Sequence, residues 1–414
     1  MPFTSILVAA VVGLLADPPQ GPPPFAEVVA KNFTRWDKDK NGELSLDEVN
    51  RAIGDPAVKG PEAAAVAALR RGMKSPKGGP AKVTLADLTT QKQAKPGAEK
   101  ASAEKTTAPK KETDGKKPAP MEKGAPEKSA PMPMEKGGAE KPPEPPRWSS
   151  LYLSTYQRLG RATRELYTKG KPSLESLHQG RLGDCYCLAP LGAVCFRNPD
   201  DVVKMIAANK DGSFSVRFNK EVITVPAPTD GELAISGSTA CEGMWVNVYE
   251  KAIGEWRQKH ASSKDKSAAA IELLGKGGST GTYLGLLTGH KVERYSLGAF
   301  KSETFSGEKR DAKLKELRGR LEKAFAESRL VTTGTGDLKT KPPGIHGKHA
   351  YAVLGYDKKA DKVLVWNPHG QTFRPKGPEG WDNGYQTSKG KFEIPLADFV
   401  RLFGGLAIEA APAA

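Results

Sequence analysis

The stretch Gln179-Gly180-Arg181-Leu182-Gly183-Asp184-Cys185-Tyr186-Cys187-Leu188 places a thiol at the polar, glycine-flanked entry to an apolar run. Gly183 and Asp184 read as a turn feeding a helix whose apolar side begins with Leu188, Leu191 and Val194, so Cys185 falls at the helix amino terminus. Backbone N–H groups and the helix dipole at that position favour a thiolate, the form of cysteine that attacks carbonyls. The partners such a thiol needs lie downstream: His349 in Gly347-Lys348-His349-Ala350-Tyr351-Ala352-Val353, and Asn367 in Val365-Trp366-Asn367-Pro368. Sulfur, imidazole and carboxamide together make a nucleophilic triad.

Ala350 to Tyr356 and Val363 to Trp366 are rich in β-branched and aromatic residues and flank the polar turn Asp357 to Asp361, which predicts a hairpin. His349 opens its first strand and Asn367 follows its second, so the hairpin sets them side by side. The other cysteines, Cys187, Cys195 and Cys241, form no disulfide framework and lack the paired spacing of a zinc site; Cys187 and Cys195 read as core filling.

The formal charge of +15 is spread among many Asp and Glu, with no basic stripe carrying interleaved aromatics. That pattern is a diffuse positive surface and excludes nucleic acid as the expected partner. The run Ile6 to Ala16 is too short to span a bilayer comfortably and is followed at once by Asp17-Pro18-Pro19, so residues 1–20 read as a signal peptide. The expectation is an exported protein, periplasmic or secreted, with no stable membrane span after signal removal; if the segment is not a signal, the protein is cytoplasmic. Residues 91–146 hold 11 Pro and 12 Lys and no aromatic residue. They cannot bury enough apolar area to offset their ordering entropy and read as a disordered linker.

Ahead of that linker, Asp37-Lys38-Asp39-Lys40-Asn41-Gly42-Glu43-Leu44-Ser45-Leu46-Asp47-Glu48 matches the twelve-residue calcium loop of an EF-hand. Asp37, Asp39 and Asn41 offer side-chain oxygens, Glu43 a backbone carbonyl, Ser45 a hydroxyl or a bound water, and Glu48 a bidentate carboxylate, while Gly42 permits the sharp turn. Phe25, Val28, Val29, Phe33 and Trp36 stripe an entering helix, and Val49 and Ile53 begin the exiting one. Aligning Val83 with Leu44 makes residues 75–88 a degenerate second loop, with Pro and Lys where carboxylates belong. Residues 25–90 are thus an expected EF-hand pair holding one Ca2+.

Six ordered segments after residue 178 resemble those of the calpain family of cysteine proteases. Gln179 to Val194 is similar to its cysteine motif, and Met244-Trp245-Val246-Asn247-Val248-Tyr249-Glu250-Lys251-Ala252 to its Trp-x-x-x-Leu-x-Glu-Lys-Ala helix. Gly277-Gly278-Ser279-Thr280-Gly281 with Leu287-Thr288-Gly289, then Lys348 to Val353, then Val365-Trp366-Asn367-Pro368-His369-Gly370 follow in the family's order, and Lys391 to Phe399 resembles the segment closing its core. The resemblance implies an α+β fold: a papain-like two-lobed core, with a helical lobe at 147–288 carrying Cys185 and an antiparallel β lobe at 289–411 carrying His349 and Asn367. It implies that His349 is the base, Asn367 the residue that holds its ring, and Gln179 an oxyanion donor beside the Cys185 backbone N–H.

Three positions depart from the family pattern. Tyr186 replaces the Trp after the cysteine, Lys348 replaces a Gly and puts a cation beside the base, and His369 replaces a Trp that shields the His–Asn pair. The leading expectation is a calcium-dependent, calpain-like endopeptidase acting on protein or peptide substrates, its EF-hand lobe carried on a flexible tether. A second reading is a weak or inactive calcium-binding scaffold that uses the papain-like domain to bind partners. A third is acyl transfer other than proteolysis on the same triad.

Overall fold

The apolar stripe from Phe25 to Trp36 recurs at three- and four-residue spacing, and all five of its residues are buried on α1 (Phe25–Trp36). The chain leaves α1 through an acidic turn and pairs β1 (Glu43–Ser45) with β2 (Lys82–Thr84), Leu44 lying opposite Val83. Two capping boxes, Ser45 with Glu48 and Thr84 with Asp87, start α2 (Leu46–Gly54) and α4 (Leu85–Thr89). Between these elements lies α3 (Gly60–Met73), whose residues Ala63 to Leu69 are all fully buried. A helix apolar on every side must be enclosed by neighbours, and α3 is: it packs on α2 and on two helices from beyond residue 146.

This computed structural model describes residues 21–75, 78–90, 147–168, 170–236, 243–262 and 269–411. The expected signal segment at 1–20 and linker at 91–146 lie outside the described residues.

The two neighbours of α3 are α5 (Trp148–Gly160) and a short helix over residues 230–235. In chain order α5 leads to α6 (Cys185–Arg197), α7 (Pro199–Met205) and a three-stranded antiparallel sheet of β3 (Ile206–Ala208), β4 (Phe214–Phe218) and β5 (Glu221–Val225). The helices α8 (Asp230–Ile235), α9 (Trp245–Lys259), α10 (Ala270–Leu274) and α11 (Thr280–Thr288) complete this part. It shares one hydrophobic core with the amino-terminal unit. Thr229 donates its hydroxyl to the Ile53 carbonyl at 2.6 Å, and the Gly60 N–H donates to Asp230 at 2.8 Å. The amino-terminal helices are therefore docked on the cysteine-bearing part, where the sequence alone suggested a lobe on a tether.

The remaining elements are β6 (Val292–Ser296), α12 (Gly307–Ala326), β7 (Val331–Thr335), β8 (Ala350–Asp357), β9 (Lys362–Trp366), β10 (Lys391–Pro395), α13 (Leu396–Leu402) and β11 (Phe403–Glu409). Their strands form an antiparallel six-stranded sheet in the order β10-β9-β8-β7-β11-β6. Side chains along β8 alternate between two cores. Ala350, Ala352 and Leu354 face the helical side, whereas Tyr351 and Val353 join a second cluster with Leu317, Phe399 and Phe403. A sheet buried on both faces explains why β8 reads as a nearly continuous apolar run.

The α6 helix crosses the first of those faces and packs on β8. Its closest approach is at Gly192, where an added Cβ would sit 2.3 Å from Cζ3 of the fully buried Trp366. Trp366 immediately precedes Asn367, so a glycine on the cysteine helix sets the spacing to the strand that delivers the carboxamide. Gly192→Ala is expected to destabilise the protein by about 1–3 kcal/mol, because neither the ring nor the helix backbone has room to yield. A urea midpoint unchanged from the parent would contradict this reading of the contact.

Candidate active site

His349 directly precedes β8 and Asn367 directly follows β9, whose ladder sets Ala352 opposite Trp366. The imidazole Nε2 lies 2.7 Å from Asn367 Oδ1, and that same oxygen accepts the His369 backbone N–H at 3.0 Å. The backbone donor fixes the amide with its oxygen toward the ring. An oxygen only accepts, so Nε2 carries the hydrogen and Nδ1 is left as the proton acceptor. His349 is 7% exposed and Asn367 1%.

Cys185 is the first residue of α6, and its thiol lies against the backbone N–H of Ala350, the residue after His349. The sequence brings an opposite expectation to this point, a thiolate favoured by the helix terminus. Burial instead pushes the Cys185 thiol up to about 11, and the Asp184 carboxylate adds to the rise against the pull of the Ala350, Tyr186 and Cys185 backbone groups. Burial likewise lowers His349 to about 3, and His369 and His346 lower it further against the stabilising bond to Asn367. At rest, therefore, the thiol and the imidazole are both neutral.

The ring of His369 stacks face to face on His349, with centroids 4.5 Å apart and planes 4° apart. It covers the His349 ring much as a larger ring would, at the expense of a second titratable group whose pKa burial and His346 lower to about 4. His346 completes the group, bonding Gln371 through Nε2 at 2.8 Å. Lys348 adopts a left-handed φ of 50°, the conformation glycine takes without strain. Its ammonium is turned outward to Asp337 at 2.9 Å rather than toward the His349 ring.

The Gln179 backbone N–H donates to the Pro368 carbonyl at 2.7 Å, which ties the loop before the cysteine to the loop after Asn367. Its side-chain Oε1 is buried without a hydrogen-bond partner. Tyr186, 2% exposed, turns into the helical core, where its hydroxyl donates to the Leu274 carbonyl at 2.7 Å. Cys187 and Cys195 are both buried.

Sequence reasoning assigned no role to Asp184 and Glu250, which the fold brings together. Glu250 accepts the Ser236 hydroxyl at 2.6 Å, and the side chains of Glu250 and Gln179 both interact with the Asp184 carboxyl, which is fully buried. Burial raises Asp184 to about 6 and, with the Asp184 charge, lifts Glu250 well above the carboxylate range. Two carboxyls in one dry site cannot both ionise cheaply, so the pair carries one negative charge near neutral pH. A signal was present: Glu250 falls on the same helical face as the buried Val246, Tyr249 and Ile253.

A second group of candidate ligands sits in the turn after α1. Oxygens of Asp37, Asp39 and Glu48 lie within 4.8 Å of one another, and Gly42 takes a φ of 82°. Asp37 accepts the Asn41 and Gly42 N–H groups at 3.2 and 2.9 Å, and Asn41 Oδ1 accepts the Glu43 N–H at 2.8 Å. Glu48 accepts from the Lys38 N–H at 2.8 Å and from the Ser45 N–H and hydroxyl at 2.9 and 2.8 Å.

The neutral resting pair has a measurable consequence. A raised thiol pKa supplies thiolate only as pH climbs, and an imidazole that stays neutral above pH 5 offers no cation to hold it. Iodoacetamide should thus modify Cys185 slowly at pH 6 and several-fold faster with each unit toward pH 9. A rate that is already flat from pH 5 upward would show a preformed thiolate–imidazolium pair and contradict the neutral assignment.

No helix among the described residues is long and apolar enough to cross a membrane. No curated protein matches the chain. A family model, that of the calpain family cysteine proteases, matches residues 156–407 and so spans Gln179, Cys185, His349 and Asn367. With more than half of its length matched, the chain belongs to the calpain family of cysteine proteases.

Proposed function

We propose that this chain is a cysteine endopeptidase in which Cys185, His349 and Asn367 cleave peptide bonds of protein substrates. The observation that carries the reading is the 2.7 Å bond from His349 Nε2 to Asn367 Oδ1, which leaves Nδ1 as the base, with the Cys185 thiol against the backbone N–H of Ala350, one residue after His349. From a neutral resting pair, the proton passes from the sulfur to Nδ1 as the sulfur attacks the peptide carbonyl. The imidazolium then returns that proton to the leaving amine, and water resolves the acyl-enzyme with His349 again as base. Gln179 and the Cys185 backbone N–H supply the oxyanion donors, a contribution worth about a hundredfold or more in rate per donor. Cys185→Ala should abolish casein cleavage, and His349→Ala should reduce it to the same level. Full activity in Cys185→Ala would refute the assignment.

The acidic turn is proposed to hold one Ca2+ through Asp37, Asp39, Asn41, the Glu43 carbonyl, Glu48 and, directly or through water, Ser45. The donor set is all oxygen, as a hard cation requires, and three carboxylates already converge there. When bound, the ion would neutralise their mutual repulsion and stabilise the docked amino-terminal unit by mass action. Calorimetry should find one calcium per chain and none in Glu48→Ala; uptake unchanged by that substitution would place the ion elsewhere. A scaffold of weak catalytic power is the second reading, favoured by the depressed basicity of His349 under the stacked His369.

A further inference from the structure

Arg70 belongs to the amino-terminal unit yet is only 3% exposed and faces the cysteine-bearing part of the fold. Its Nε donates to Asn50 Oδ1 on α2 at 2.9 Å, and its Nη2 comes up against Gly275, close to where a Cβ on that glycine would sit. Gly275 in turn abuts the Leu182 carbonyl and lies beside Gly183, the turn that launches α6. The guanidinium thus ends within electrostatic reach of Asp184 and of Glu272 on α10. The groups acting on Asp184 are Arg70 from α3, Glu250 from α9 and Gln179 from the loop before α6. Cys185 and Cys187 on α6 both feel its charge, and Arg158 of α5 faces Glu250.

A fully buried anion one residue before the proposed nucleophile, approached by the neutral side chain of Gln179 and by a second carboxyl in Glu250, is an arrangement that needs a counter-charge. We infer that Arg70 is that counter-charge, a positioning residue that the docked amino-terminal unit lends to the active site. It acts through Asp184: by offsetting the Asp184 charge it keeps the first turn of α6 and the Gln179 side chain in place and spares the thiol part of the anion's repulsion. The amino-terminal unit is on this account a part of the catalytic lobe rather than an appendage. The inference rests on the proposed role of Cys185 as nucleophile, and its test is chosen to work even if the chain hydrolyses nothing.

The test compares Arg70→Gln, which keeps a hydrogen-bonding side chain and loses the charge, with Arg70→Lys, which keeps the charge. The full chain is used, folding is checked by circular dichroism, and modification of Cys185 by iodoacetamide is followed by peptide mass at pH 7, where Asp184 is ionised and the substituted lysine keeps its charge despite burial. Loss of the nearby cation should raise the thiol pKa by about half a unit, so Arg70→Gln should react about threefold or more slowly while Arg70→Lys stays within twofold of the parent. If casein is cleaved, kcat should fall about tenfold in Arg70→Gln with KM within twofold, since the lost contribution orients the nucleophile and not the substrate. Parent-like alkylation in both variants would overturn the inference, and so would an equal loss in both, which would mark Arg70 as a packing residue. A chain that alkylates as expected yet leaves casein intact would refute the protease reading alone.

Discussion

The proposed active site depends on one close approach, that of α6 to the inner face of the six-stranded sheet at Gly192 and Trp366. The helix carries the Cys185 thiol at its first residue; the sheet carries the His349 imidazole just before one strand and the Asn367 carboxamide just after the next. Those strands are hydrogen-bonded neighbours, so the His349–Asn367 geometry is set by backbone pairing. The third partner is set only by how near the helix can come. A glycine opposite a fully buried tryptophan permits that distance, and the 2.7 Å bond from the Gln179 N–H to the Pro368 carbonyl closes the same seam from the loop side.

Burial of so many ionisable groups has a cost that the fold does not hide. The thiol, the base, the stacked His369, the Asp184–Glu250 pair and Arg70 all have their charged forms disfavoured by desolvation. The site is dry and electrically quiet at rest, and on the proposed mechanism charge appears only as the sulfur attacks a substrate carbonyl. Such an arrangement protects the thiol from adventitious chemistry. It also makes the site sensitive to any nearby fixed charge, because little water is present to screen one.

Much of this was legible in the sequence because it is local. The apolar stripe of Phe25 to Trp36, the hairpin at 350–366 and the glycine-flanked Cys185 each announce themselves within a dozen residues or so. What the sequence concealed is long-range. Arg70 looks like one of two exposed arginines at a helix end, and only the fully apolar Ala63 to Leu69 hints that the helix is enclosed. The thiol pKa illustrates the same limit: the helix terminus is visible in the sequence and lowers it, whereas the burial that outweighs it exists only after the chain has folded. The stack of His369 on His349 is likewise a property of the loop after Asn367, which no spacing rule predicts.

The most direct test of the account is to treat the full chain with a peptidyl chloromethyl ketone and locate the adduct by mass spectrometry, in the parent and in His349→Ala and Asn367→Ala. The account predicts one equivalent per chain, attached at Cys185, strongly slowed without His349 and measurably slowed without Asn367. An adduct spread over several cysteines, or one that forms at Cys185 as fast without the imidazole as with it, would mean that the three groups do not act as one site.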